Sequence, residues 1–162
     1  MKAISLWQPW ASAIACNAKR IETRHWPTNY RGPLLIHAAK RMHAGELYLY
    51  ERTHCWKGAL MPILEGTRGN LKAALPFGAI VAVATLVDCQ RTTSLTVGID
   101  IKHTRGGKTW TERDMGDFTP GRFGWILDHI RPLKTPLPFR GAQGLFDVPD
   151  SVLPPEAFGG GD

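Results

Sequence analysis

Apolar and polar residues alternate from the start of the chain. In MKAISLW, residues 1–7, Ile4 and Leu6 fall on one face of a strand and Ala3, Ser5 and Trp7 on the other. Pro9 suits the first turn of a helix, and Trp10, Ala13, Ile14 and Asn17 then recur at helical spacing. This predicts a short helix over 9–18, with Asn17 as a left-handed stop. Alternation returns in KRIETRHW, residues 19–26, with Ile21 and Thr23 on one face and Glu22 and Arg24 on the other. The turn PTNYRG leads into a third strand, PLLIHA, residues 33–38. Residues 40–56 read as irregular helix, and the Gly- and Pro-marked span 57–78 as loop with a short helix. GAIVAVATLVDC, residues 78–89, is nearly unbroken in apolar character, the mark of a central strand buried on both faces. The polar, Gly-rich stretch 91–121 is too long for a routine connection and reads as a lid or binding loop, or as a mobile hairpin. RFGWILDHIRPL, residues 122–133, and QGLFDVP, residues 143–149, complete the series as strands. Roughly six strands with helices inserted between the early ones predict an α+β fold, a small mixed, partly closed β-barrel. A single domain is expected over 1–155, with a flexible C-terminal tail at 156–162.

Composition changes this picture only in part. With 162 residues, 43% of them apolar, the chain can bury a core and is not of the disordered class. Cys16, Cys55 and Cys89 are widely spaced and odd in number, and no signal-like segment opens the chain, so a reducing cytoplasm is the expected home. No cysteine or histidine pair stands at zinc-ligand spacing, and neither a metal nor a cofactor is expected. No apolar run approaches the roughly 20 residues that a membrane span needs. The net charge of +6 is unevenly placed: residues 1–81 hold 11 Lys and Arg against 4 Asp and Glu, residues 82–162 hold 9 against 10. An excess concentrated in the first half either favours a polyanionic or anionic partner or serves solubility alone.

The candidate chemistry lies in the same half. Glu22 and Arg24, two apart on one strand, project to the same side about 6 to 7 Å apart, and Lys19 stands at the mouth of that strand. A cation, an acceptor and a planar fork of donors can grip a base edge, a phosphate or an amide; the same three residues also fit a plain ion-pair ladder on a solvated face. Trp7, Trp10, Trp26 and Tyr30 flank the cluster and offer stacking surfaces for unpaired bases. Trp7 and Trp125 are expected in the core, and Trp26, before Pro27, as the exposed ring. His37 either serves a ligand or is a satisfied structural group. Lys40 and Arg41 extend the positive edge as phosphate contacts or as a solvated helix start, and Arg31 joins the ligand-contact set. RGGKT lacks the glycine of a phosphate loop, since Lys102 stands where it is required.

LWQPWASAI, AKRIETRHW, YRGPLLIHAAK, GRFGWIL and GAQGLFDVP together resemble the ASCH domain, the activating-signal-cointegrator homology group of the PUA-like superfamily. The pattern Lys-x-x-Glu-x-Arg, here Lys19, Glu22 and Arg24, is the most telling part of that resemblance. It implies a small PUA-like barrel with a cleft, in which these residues lie beside an early helix and a loop. Relatives are associated with RNA binding; one branch hydrolyses the acetyl amide of N4-acetylcytidine and another is linked to RNA cleavage. The amidohydrolase branch uses a Lys, a Thr three residues later and a distant Glu, whereas Glu22 follows Lys19 here, and Asn17 stands where the family commonly has Gly. The expected function is binding of RNA or a modified nucleoside in a basic cleft through Arg24, Trp26, Tyr30, Arg31, His37, Lys40 and Trp10. The alternatives are hydrolysis of that ligand class through Lys19 and Glu22, and a protein-interaction adaptor.

Overall fold

Strand β1 (Lys2–Leu6) runs parallel to β3 (Gly32–Ala38) on one side and antiparallel to β8 (Leu145–Asp147) on the other. The computed structural model describes residues 1–42, 54–65, 67, 70–96 and 98–159. With β2 (Ile21–Arg24), β4 (Ala79–Arg91) and β7 (Phe123–Pro138), these strands form a six-stranded mixed sheet in the order β2-β7-β4-β3-β1-β8, curled into a half-barrel. The α+β class and the partly closed barrel expected from the pattern are therefore what the chain forms.

The apolar runs of β3 and β4 exist because both sheet faces are covered. On one face Ile4, Leu6, Leu34, Ile36, Ala84 and Leu86 pack with Trp125 and helix α1 (Trp10–Ala15). On the other, Ala3, Leu35, Ile80 and Val83 pack with Leu133, Val148, Leu153 and Ala157. The β4–β7 register shifts at three places, between Ile80 and Ala82, Val83 and Thr85, and Leu86 and Asp88, and such irregularities bend long strands and curl a sheet. β7 runs to Pro138, beyond the expected end at 133. Only Phe123–Ile126 pair with β2, so among the described residues the remainder is an edge, where Pro132, Pro136 and Pro138 forfeit no ladder bond on the open side.

α1 is shorter than the predicted 9–18 and has no side-chain cap from Pro9. Buried Gln8 does that work, its Oε1 accepting from the Ser12 amide at 3.1 Å while Nε2 donates to Ser12 Oγ at 2.8 Å and to the Pro76 carbonyl at 2.7 Å. Asn17, at φ 53°, turns the chain out of the helix as expected. Three short helices, α2 (His54–Ala59), α3 (Met61–Leu64) and α4 (Leu71–Ala74), replace the loop with a single helix expected over 57–78. Most of the irregular helix expected over 40–56 lies outside the described residues.

Within the stretch 91–121, residues 103–110 form a hairpin that docks on other segments. Strands β5 (His103–Arg105) and β6 (Lys108–Trp110) pair and are followed by a 3-10 turn, Glu112–Met115. Trp110 Nε1 donates to the Ala18 carbonyl at 2.8 Å, and Arg105 reaches the carbonyls of Ala59 and Cys16 at 2.9 and 3.2 Å. The stretch expected as a tail, 156–162, overlaps a further 3-10 turn. Pro155–Phe158 forms a 3-10 turn because Ala157 fills a gap in the core and Arg131 holds the carbonyls of Glu156 and Ala157; residues 160–162 lie outside the described part.

Candidate functional site

The alternation of β2 is realised: Ile21 and Thr23 are buried, and Glu22 and Arg24 face the opposite side, into a cleft of about 470 Å³. Arg24 is fixed from below, one terminal nitrogen donating to the Ser5 carbonyl at 2.6 Å, while its Nε lies 3.4 Å from Glu22 Oε1. Lys19 is fully buried and donates to the Ile21 carbonyl. Its Nζ stands 3.9 Å from Glu22 Oε2 and 3.9 Å from Glu112 Oε2. Glu112, itself buried, also accepts from the backbone amides of Arg20 at 2.5 Å and Ile21 at 3.2 Å. Lys19 thus lies behind Glu22, as the centre of a buried charge cluster, and is not on the cleft surface where the motif reading put it.

The walls come from three places. Leu6 ends β1 and Trp7 follows it, Trp10 begins α1, and Trp56 projects from α2. Trp10 and Trp56 meet edge to face with ring centres 5.6 Å apart, and Trp10 Nε1 donates to the Met115 carbonyl at 2.7 Å. The third wall is Asp114–Asp117 with Arg122. A capping box at Thr111 and Asp114 shapes the 3-10 turn that carries it, and Asp117 N donates to Thr23 Oγ1 at 3.2 Å. Arg122 donates to the Thr23 carbonyl at 3.1 Å, and its Nε lies 3.3 Å from Asp117 Oδ2. Hydrogen bonds from the Thr119 hydroxyl and amide hold the Asp117 carboxyl below the usual carboxylate range, with Arg122 adding to the effect.

These residues correct the expectation of a basic cleft. Arg24 and Arg122 line it, but so do Glu22, Asp114 and Asp117. Such a surface suits a neutral ligand with both donors and acceptors better than a polyanion.

Of the residues singled out in the sequence, Glu22, Arg24 and Trp10 meet in the cleft, with Lys19 beneath them. Trp7, expected in the core, is 47% exposed on the cleft, because β1 stops at Leu6 and the alternation stops with it. Trp26, expected as the exposed ring, packs edge to face on buried Trp125 with ring centres 4.7 Å apart, and its carbonyl accepts from Trp125 Nε1 at 3.3 Å. Tyr30 donates to the Pro33 carbonyl, and Arg31 pairs with Asp88 at 2.8 Å, both away from the cleft. His37 is buried between Ser5 Oγ and the Phe139 carbonyl, and Lys40 is exposed; both line a different cleft. Trp56, Glu112, Asp114, Asp117 and Arg122 were not anticipated. The signal for part of them was present, since Thr111-Glu112-Arg113-Asp114 has the Thr-x-x-Asp spacing of a capping box. Among the described residues no cluster of His, Cys, Asp or Glu is arranged to hold a metal, all three cysteines are free, and no helix is long and apolar enough to cross a membrane.

The ASCH domain pattern matches this chain over residues 4–110. Activating signal cointegrator 1 of Homo sapiens and that of Mus musculus are each 32% identical to it over 87 residues, which is 53% of this chain and 14% of either relative. The crystal structure of a mutant ZmASCH protein from Zymomonas mobilis is similar with a TM-score of 0.50 at 15% identity, covering 93% of this chain and 91% of that one. That last likeness concerns the fold alone.

Proposed function

Because the chain belongs to the ASCH domain family, a PUA-like group generally associated with RNA, we propose that it takes an unpaired base of RNA, or a modified nucleoside, into the tryptophan-lined cleft. One observation carries the reading: Glu22, an acceptor, stands in the cleft with two guanidinium groups whose donors are mostly unspent. Among the described residues each of Arg24 and Arg122 makes a single side-chain hydrogen bond, and the buried Nε of each faces a carboxylate, Glu22 at 3.4 Å and Asp117 at 3.3 Å, without completing a hydrogen bond to it. A nucleobase edge that pairs a donor with acceptors, such as the amine, ring nitrogen and carbonyl of cytosine, is complementary to that set. Trp7 and Trp10 supply apolar faces for the ring.

Recognition is preferred to hydrolysis on geometric grounds. The lysine that would attack or activate an amide is enclosed by Ile21, Glu22 and Glu112, away from the cleft surface. The test is a tryptophan-fluorescence titration with cytidine, N4-acetylcytidine and a short single-stranded RNA. Arg24→Ala is expected to weaken binding by at least about tenfold, the loss of a hydrogen-bonded charged contact. Wild-type affinity in that variant sinks the reading, and product formed from N4-acetylcytidine or from labelled RNA would replace it with the enzymatic one.

A further inference from the structure

A second cleft, of about 800 Å³, opens at the end of the sheet where β3 stops, β4 starts and β7 gives way to the loop 139–144. Its charge is the opposite of the first cleft's mixture. Lys40 and Arg140 both line it and both are exposed. No Asp or Glu lines it, and among the described residues neither cation has a carboxylate partner.

The loop adds donors. The backbone N–H groups of Arg140, Gly141, Ala142 and Gln143 take no partner among the described residues, whereas the Phe139 amide before them is used by the Gly78 carbonyl at 3.0 Å. The loop is pressed onto the floor of the cleft. A Cβ on Gly141 would fall 2.4 Å from His37 Cε1 and 2.5 Å from Ser5 Oγ, so only glycine allows this approach. The floor itself is neutral and self-satisfied. His37 Nε2 donates to the Phe139 carbonyl at 3.0 Å, which leaves Nδ1 to accept from Ser5 Oγ at 2.9 Å, and burial favours the uncharged ring. Phe77 and Phe139 supply apolar wall.

The geometry points to a second ligand site in this cleft, for a phosphate group carried on a body of nucleotide size, held by Lys40, Arg140 and the amides of Gly141–Gln143. Unpaired cations and consecutive free amides are the donors that phosphate oxygens require, and the volume greatly exceeds that of one phosphate. The phosphate comes either from a free nucleotide or from an RNA strand, and the two sources are separable.

The experiment is an amide-resolved NMR titration of the whole chain with inorganic phosphate, a nucleoside 5′-monophosphate and a short single-stranded RNA. Saturable shifts at Gly141–Gln143 are expected with at least one probe. Saturation by the monophosphate assigns a free nucleotide, and saturation by the RNA alone assigns the strand. Lys40→Ala with Arg140→Ala should weaken that binding by about tenfold or more, and Arg140→Glu alone should do likewise; both residues are solvated and without a carboxylate partner among the described residues, so the fold should survive. Arg122→Ala in the first cleft, whose side chain has polar contacts only with Thr23 and Asp117 among the described residues, should leave the shifts produced by the monophosphate unchanged, which separates this site from the base-binding one. Absence of saturable shifts with all three probes, or full affinity in the double variant, overturns the assignment.

Discussion

Lys19 shows best what one residue does here, because nothing of it reaches solvent and yet it ties two distant segments. Its ammonium faces Glu22, three residues on, and Glu112, more than ninety residues on, and Glu112 in turn caps the amides that start β2. Removing one member of a buried charge cluster leaves the others uncompensated. Lys19→Met is therefore expected to cost about 3 to 5 kcal/mol, read as a lower midpoint in urea unfolding. A loss under about 1 kcal/mol would mean that the two backbone amides alone satisfy Glu112. Glu22 and Arg24 were legible as a pair from strand alternation, and Lys19 from spacing. Glu112 was not, because local pattern carries no information about which remote carboxylate will close on a buried lysine. His37 makes a second case. Burial pushes its imidazole below the ordinary value of 6.5, against a smaller upward pull from the hydrogen bond to Phe139. The unfolded chain then takes up the proton first, so the contribution to stability is complete above pH 6.5 and falls as pH drops through that value toward the native one. His37→Gln should flatten the fall in urea midpoint between about pH 7.5 and 5. An equally steep fall in the variant would place the titration on other histidines.

Among the elements, β2 is short, yet it positions the site, and a glycine on its neighbour lets it do so. Thr23 pairs with Gly124 in the β2–β7 register. A Cβ at Gly124 would fall 2.3 Å from Leu95 Cδ1 and 3.0 Å from Ile21 Cγ2, inside the small cluster that Ile21, Leu95 and Ile99 form. Gly124→Ala is thus an overpacking change, expected to cost about 1 to 3 kcal/mol by thermal or urea unfolding and to displace Glu22 and Arg24 enough to weaken ligand binding. A wild-type midpoint would show that Leu95 swings aside freely. The legible elements were those with a strong period: the alternation of β1 and β2, and the unbroken run of β4. The helices α2 to α4 were largely missed for a physical reason. At four to six residues each they are shorter than the window over which a helical period can be read, and Pro62, within the first turn of α3, looks locally like a breaker. The hairpin β5–β6 is held by Trp110 and Arg105 to carbonyls of other segments, and tertiary contacts of that kind leave no local signature.

At the scale of the whole molecule, the positive excess of the first half was legible but its destination was not. Folding sets part of it against carboxylates of the nearly neutral second half: Lys2 meets Asp147, Arg20 meets Asp128 and Arg31 meets Asp88. Lys19 is consumed in the interior and Arg24 sits in a cleft where carboxylates outnumber arginines. Of the two clefts it is the second, with Lys40 and Arg140, that holds cations with no carboxylate partner among the described residues. The two clefts should therefore answer differently to salt. A neutral nucleoside in the first displaces no counterions, and its affinity is expected to change less than about twofold between roughly 50 and 200 mM salt. Single-stranded RNA that also engages Lys40 and Arg140 neutralises two phosphates, which for a single strand predicts a loss of about sevenfold over the same range. Lys40→Ala with Arg140→Ala should bring the salt slope of RNA binding close to that of the nucleoside, leaving nucleoside affinity where it was. If the RNA slope survives in that variant, the phosphate contacts lie on some other part of the surface. If the nucleoside itself shows a steep slope, the first cleft is reading charge and not a base edge.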